Sequence, residues 1–223
     1  MTHTIVHLMR HGEVANPDGV LYGRMRGFSL SPLGFEMAEA GAEYFAQIDA
    51  NITVVTASPL LRAQQTAAPT ADLYGLKVGS DWRLLESTNE FEGEAVNANR
   101  LTLAHPRNWV RYRNPLKPSW GEPYSQQVDR MRAAVSSAID QAKGSEALLV
   151  SHQLPIWILR LFAEGRPLPH DPRRRQCALG SVTSLIFKNH TLVGIDYAEP
   201  SAHLLGKAAD VTPGSSSASI NRG

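Results

Sequence analysis

The chain has 223 residues, 43% hydrophobic and 19% charged, with a formal net charge of +1 and a single cysteine. That length suits one sizeable α/β unit with its own core, and the near-neutral balance lacks the basic footprint of a nucleic-acid binder. One cysteine, Cys177, excludes an internal disulfide and a cysteine-built metal site and fits a reducing compartment.

No apolar run approaches the roughly 20 residues of a membrane span. The N-terminus shows no basic segment followed by an apolar stretch, so the expectation is a cytoplasmic protein without membrane contact.

In chain order, Thr4-Ile5-Val6-His7-Leu8 reads as a buried strand that runs into Arg10, His11 and then Gly12. Ser31-Pro32 opens a helix, serine as cap and proline in the first turn. Leu33, Met37, Ala40, Tyr44 and Ile48 give that helix an apolar face at helical spacing. "ITVVTAS" at 52–58 is a second buried strand, and Ser58-Pro59 repeats the cap-and-proline signal for a helix through about Leu73. "LKVGS" at 76–80 is a short strand. Residues 81–122 are irregular, rich in Trp, Asn, Arg and Pro, with one short helix predicted near 96–104.

"PYSQQVDRMRAAVSSAIDQA" at 123–142 is a strong helix, and "EALLVS" at 146–151 a third buried strand. Pro155 marks the first turn of a helix to about Glu164, and "SVTSLIFK" and "HTLVGIDY" form a hairpin about Asn189. From about Lys207 the composition turns to Ala, Ser, Gly and Pro, the signature of a disordered tail. There is no internal repeat.

Alternating strands and helices imply an α/β fold: a three-layer, doubly wound, mostly parallel sheet with helices on both faces. In such sheets ligands bind beyond the carboxyl ends of the strands. The first such end carries Arg10 and His11, the second Ser58 with Arg62 a helical turn later, the third Ser151-His152-Gln153. Two arginines and two histidines beside helix N-termini make an anion site, and the planar guanidinium fork favours phosphate. A neutral histidine at its centre can attack phosphorus, and a poor alkoxide leaving group then needs an acid. Glu86 in "RLLESTNEFEG" is a candidate, with Glu90, Glu92 and Glu94 competing on composition alone.

The segments "LMRHGE", "SPLLRAQQTA", "LLES…FEGE", "GEPYSQQVDR" and "LLVSHQLP" resemble, in order and spacing, the phosphoglycerate-mutase-like branch of the histidine phosphatase superfamily, over about residues 4–199. The resemblance implies a catalytic domain over 1–206, with a lid insertion at about 88–122 and a tail at 207–223. It implies that His11 is the transiently phosphorylated nucleophile and that Arg10, Arg62 and His152 hold the phosphoryl group. Glu86 would be the general acid and base, and Asn16, Gly23 and Gln153 the pocket rim. Neither metal nor other cofactor is implied.

The chain has Val14 where the family often has Thr or Ser, and its "LLESTNEFEG" lacks the LNERxYG pattern of true mutases. The expectation is therefore a metal-independent phosphatase for a phosphomonoester, a sugar phosphate or small phosphorylated acid. A mutase-type transfer and a non-catalytic phospholigand-binding protein stand as alternatives.

Other features carry two readings. His7 lies within the first strand and reads as structural; His3, His105, His170, His190 and His203 have no metal-ligand spacing. "DPRRRQC" at 171–177, with Arg173, Arg174 and Arg175, is either a solvated loop or a crevice mouth for a second anionic group. "NWVRYRNPLKPSW" at 108–120 either packs Trp109 and Trp120 into the core or forms a substrate lid in which Arg113 contacts substrate. Cys177 reads as a plain buried thiol. The expected partner is a phosphorylated small molecule rather than nucleic acid or membrane, with a homodimer left open.

Overall fold

The structure, a computed structural model, describes residues 3–89, 92–93 and 121–208. Six strands form one sheet in the order β3-β2-β4-β1-β5-β6: β1 (His3–Arg10), β2 (Ile52–Ala57), β3 (Gly79–Ser80), β4 (Glu146–Ser151), β5 (Val182–Lys188) and β6 (Thr191–Ala198). The β3-β2-β4-β1 side is parallel, whereas β5 and β6 run antiparallel and close one edge. The fold class is thus the expected α/β, mostly parallel sheet. Asn189 and His190, both at positive φ, turn the β5–β6 hairpin in two residues.

Alternation along the parallel strands feeds two layers. Val6 and Leu8 of β1, with Ala147 and Leu149 of β4, pack against α3 (Tyr124–Ala142) and α4 (Gln153–Ala163). Met9, Leu148 and Val150 face the other way, onto α1 (Pro32–Gln47) and α2 (Leu61–Leu73) with Phe45, Ala63 and Ala67. The period-2 strand pattern therefore places helices on both faces.

Local signals held to different degrees. Ser31 caps α1, its Oγ accepting from the Gly34 N–H at 3.0 Å. The buried face of α1, however, is Gly34, Met37, Ala38, Gly41, Ala42 and Phe45. Of the expected stripe only Met37 is fully buried, and Ile48 is exposed. The physical reason is close approach: a Cβ on Gly34 would strike the Glu13 carbonyl, and one on Gly41 the Met9 side chain. Small residues, not large apolar ones, decide which way this helix faces.

At α2 the expected serine cap is absent. Leu60 occupies the N-cap without a side-chain bond, and Ser58 turns to the site described below. The strand expected over 76–80 shrinks to two residues. A 3-10 turn at Trp82–Leu84, with Asp81 Oδ1 accepting from the Arg83 N–H at 2.8 Å, begins the irregular region. The predicted helix near 96–104, the 108–120 segment and Arg113 lie outside the described residues, as does the chain beyond 208.

His7 is structural in its bonding. Its Nδ1 lies 2.8 Å from Ser184 Oγ and its Nε2 2.7 Å from Glu146 Oε2, tying β1 to both neighbours. The bond to His7 holds the Glu146 carboxyl below its usual range.

Candidate active site

The carboxyl end of β1 is clamped by its main chain. The Arg10 N–H donates to Ser181 O at 3.0 Å and the His11 N–H to Ser151 O at 3.1 Å, while the Gly12 N–H donates to Thr66 Oγ1 at 3.1 Å. On this fixed stem the His11 ring places Nδ1 2.8 Å from the Gly12 carbonyl oxygen. A carbonyl only accepts, so Nδ1 carries the hydrogen and Nε2 keeps its lone pair. Burial lowers the His11 pKa well below the ordinary imidazole range, and the Arg62 and Arg10 charges lower it further; the Gly12 bond opposes them. The ring is neutral at physiological pH.

The same reasoning fixes the second histidine. Arg62 Nη2 lies 3.4 Å from His152 Nδ1, and a guanidinium only donates. His152 Nε2 therefore carries the hydrogen and donates to Ser58 Oγ at 2.9 Å. Burial first, then Arg62, keeps His152 uncharged. The two imidazoles lie 5.1 Å apart at 64°.

Arg62, 1% exposed, donates to Gly23 O at 2.6 Å and stacks 4.7 Å from the Tyr22 ring centroid. Its Nε and Nη1 have no hydrogen-bond partner among the described residues. A buried cation with unspent donors is costly unless an anion completes it.

A cleft of about 320 Å³ is lined by Arg10, His11, Tyr22, Gly23, Glu86, Tyr124, Gln153 and Arg175, among others. Arg62 and His152 are not in its lining but touch residues that are, Arg62 through Tyr22 and Gly23 and His152 through the His11 ring. Glu86 Oε1 accepts from the Ser87 N–H at 2.8 Å. Burial pushes the Glu86 carboxyl above its usual range, against the opposing pull of that bond and of Arg62, Arg175 and Arg130. The protonated acid is thereby favoured where an ordinary glutamate would be ionised.

A network of side chains holds the Glu86 segment. Arg24 Nε donates to the Glu86 carbonyl, and Arg24 Nη2 pairs with Glu122 Oε2 at 3.0 Å. Arg130 grips both Glu122 oxygens, at 2.7 and 2.9 Å, and donates to Arg83 O at 2.6 Å. Gln127 Nε2 bridges Ser87 Oγ and Glu122 O at 3.1 and 2.9 Å.

Arg10, His11, Arg62, His152 and Glu86, expected together from the sequence, are together. Gly23 and Gln153 line the cleft. Asn16 does not: its amide group bonds the Val20 N–H and C=O, closing a local turn. Among the rival acids, Glu92 is committed to the Arg24 N–H at 2.8 Å, and Glu90 and Glu94 lie outside the described residues. Sequence reasoning missed Tyr22, Arg24 and Glu122: Tyr22 and Arg24 act on partners 40 or more residues away, and for Glu122, gripped by Arg130 eight residues on as well as by Arg24, the only cue is its place in "GEPYSQQVDR". Among the described residues, no three His, Cys, Asp or Glu side chains gather as a metal-ligand set, and no helix is long and apolar enough to cross a membrane.

The family model described as "Histidine phosphatase superfamily (branch 1)" matches residues 6–197. This chain belongs to the histidine phosphatase superfamily.

Among its relatives, the uncharacterized protein Rv0525 of Mycobacterium tuberculosis (strain ATCC 25618 / H37Rv) is 51% identical over 199 residues, covering 89% of this chain and 98% of that protein. The probable phosphoglycerate mutase GpmB of Yersinia enterocolitica is 36% identical over 186 residues, covering 79% of this chain and 83% of that protein. The solved structure of mycobacterial glucosyl-3-phosphoglycerate phosphatase Rv2419c shares the fold with a TM-score of 0.69 at 22% identity, over 88% of this chain and 98% of that one. This histidine phosphatase superfamily member thus has both a mutase-named relative and a phosphatase of like fold.

Proposed function

We propose that the chain is a phosphatase that hydrolyses phosphomonoesters through a phosphohistidine on His11. The observation that carries this reading is the neutral tautomer of His11: with Nδ1–H held by Gly12, Nε2 is the nucleophile, in a ring that lines the cleft beside Arg10. In the first step Nε2 attacks phosphorus in line, the P–O ester bond breaks, and the Glu86 O–H passes its proton to the departing alkoxide. Arg10 and Arg62 compensate the charge on the transferred oxygens. In the second step the Glu86 carboxylate takes a proton from water, the resulting hydroxide attacks phosphorus, and the P–N bond breaks. Orthophosphate leaves and His11 and Glu86 return to their starting protonation states.

The raised pKa of Glu86 and the lowered pKa of His11 are the opposed shifts such a pair needs. The absence of an LNERxYG pattern favours hydrolysis over isomerisation.

Incubation with a radiolabelled phosphomonoester followed by alkaline denaturation is expected to leave acid-labile label on the wild-type chain, with orthophosphate as product. His11→Ala is expected to take up no label and to lose about 10⁴ or more in kcat. Turnover surviving that substitution overturns the proposal, and an isomeric phosphate ester in place of orthophosphate makes the chain a mutase.

A further inference from the structure

Asn16, expected at the pocket, instead builds the loop that reaches it. Its amide donates to Val20 O at 2.9 Å and accepts from the Val20 N–H at 3.2 Å, closing a turn at the start of the segment 16–24. Beyond this turn the main chain is tied at three points. Leu21 O accepts from the Gly93 N–H at 2.9 Å, Gly23 O accepts from Arg62 Nη2 at 2.6 Å, and the Arg24 N–H donates to Glu92 Oε1 at 2.8 Å. The backbone on either side of Tyr22 is thereby fixed.

The Tyr22 ring lines the cleft. The Arg62 guanidinium carbon lies 4.7 Å from its centroid, and the Phe28 ring 5.3 Å away at 31°. The His11 ring is farther, 6.3 Å away at 61°. For a buried cation a ring face is an attractive partner that takes up none of its N–H groups.

That distinction matters for Arg62. Its Nη2 is spent on Gly23 O and approaches His152 Nδ1 at 3.4 Å, whereas Nε and Nη1 have no partner among the described residues. Apart from the ring, one hydrogen bond under 3 Å holds this head group, and a single bond does not fix the plane of a guanidinium. An acceptor in place of Tyr22 would compete for Nε and Nη1. A ring face fixes the plane and leaves both nitrogens for the transferred phosphoryl oxygens.

We propose that Tyr22 is a positioning residue: its stack on Arg62 sets the plane in which that guanidinium meets the phosphoryl group, and the Asn16 turn sets Tyr22. The inference rests on the phosphatase reading and adds to it a residue that acts through Arg62.

The test measures kcat and KM of the full chain on p-nitrophenyl phosphate and on 3-phosphoglycerate, with orthophosphate release as readout. Tyr22→Leu is expected to lower kcat about tenfold on each ester the wild type hydrolyses, with KM little changed, the worth of a desolvated cation–π contact. Tyr22→Phe, which keeps the ring face, is expected to recover most of that loss. Tyr22→Leu combined with Arg62→Met is expected to be no slower than Arg62→Met alone, because the two residues act as one unit. Asn16→Ala, outside the cleft lining, is expected to cost about two- to fivefold in kcat and nothing further in the Arg62→Met background.

Losses that multiply in the Tyr22 and Arg62 double variant overturn the proposal and assign Tyr22 to His11 or to the substrate. So does a Tyr22→Phe chain as slow as Tyr22→Leu, which would place the effect in the hydroxyl, and so does a change confined to KM. Should Tyr22→Leu fail to fold by its thermal transition, Asn16→Ala with and without Arg62→Met decides alone. Normal turnover by a folded Tyr22→Leu chain overturns the role of Tyr22 and leaves the phosphatase reading intact. A wild type that releases orthophosphate from neither ester overturns that reading, and the role of Tyr22 with it.

Discussion

One group of residues, Arg10, His11, Ser58, Arg62 and His152, stands within a few residues of the carboxyl ends of β1, β2 and β4. A second group, Glu86, Arg24, Glu122 and Arg175, comes from connecting segments: Arg24 reaches the Glu86 carbonyl and the Glu122 carboxylate, and Arg175 the His170 ring and the Gln153 amide. The first group is positioned by the sheet's own hydrogen bonds and by tightly packed helices. The second is positioned by side chains, each of which can change alone. Under the proposed reaction the first meets the phosphoryl group that every substrate shares, and the second meets the leaving group by which substrates differ.

Substitutions on the two sides should therefore fail in different ways, and the largest expected effect is at the acid. Glu86→Gln is expected to lower kcat by about 10²–10⁴ and to reshape the pH profile. In the wild type, kcat/KM should rise as His11 loses its proton, below the ordinary imidazole value of about 6.5, because the folded chain lowers that pKa. It should fall again as Glu86 loses its proton, above the ordinary carboxyl value of about 4.3, because burial raises that pKa. Glu86→Gln should retain the rising limb and lose the falling one; a falling limb that persists assigns the proton to another group.

Arg62→Met comes next, with an expected loss of about 10²–10³ in kcat on every phosphomonoester tested. Its thermal midpoint should hold or rise, since a buried cation with two unpartnered nitrogens is replaced by an apolar chain of similar length. A selective loss on one substrate would move Arg62 to the other side of the comparison.

Glu122→Gln, remote from the phosphoryl end, should cost about tenfold in kcat with KM little changed, because Arg24 and Arg130 would hold the Glu86 segment less firmly. Glu122→Asp should restore part of it; a purely structural Glu122 would lower the thermal midpoint and leave the kcat of the folded fraction intact. The smallest effect on chemistry is expected from Gly34→Ala, which should lower stability by about 1–3 kcal/mol in denaturant unfolding.

The same division explains what the sequence disclosed. Strand ends announce themselves: a β-branched run stops, a glycine, proline or helix start follows, and any Arg or His stranded there stands out. Arg10, His11, Arg62 and His152 were legible in that way, as was the sheet that gathers them.

Where local rules met tertiary demands, they gave way. Ser58 looks like a helix cap, but its hydroxyl accepts from His152. The stripe of Leu33, Tyr44 and Ile48 looks like the buried face of α1, but glycine and alanine take it because the neighbouring backbone is too near for anything larger. Asn16, expected at the pocket, spends its amide on Val20. Arg24 and Glu122 were invisible because a salt bridge between residues 98 apart has no spacing to read. In "DPRRRQC" the 3-10 turn capped by Asp171 leaves Arg173 and Arg174 on the exterior and puts Arg175 in the cleft lining.

A side chain on Gly12 would run into the main chain of Gly34, just as one on Gly34 would run into Glu13. Two stretches of main chain are thus in mutual contact next to His11 in the chain, and no other amino acid fits at either point without moving one of them. At these two glycines the main chain around His11 is closed to side-chain variation. Under the proposed reaction, new substrates would be reached by exchanging side chains of the connecting segments, where a single arginine or glutamate can change while this contact stays as it is.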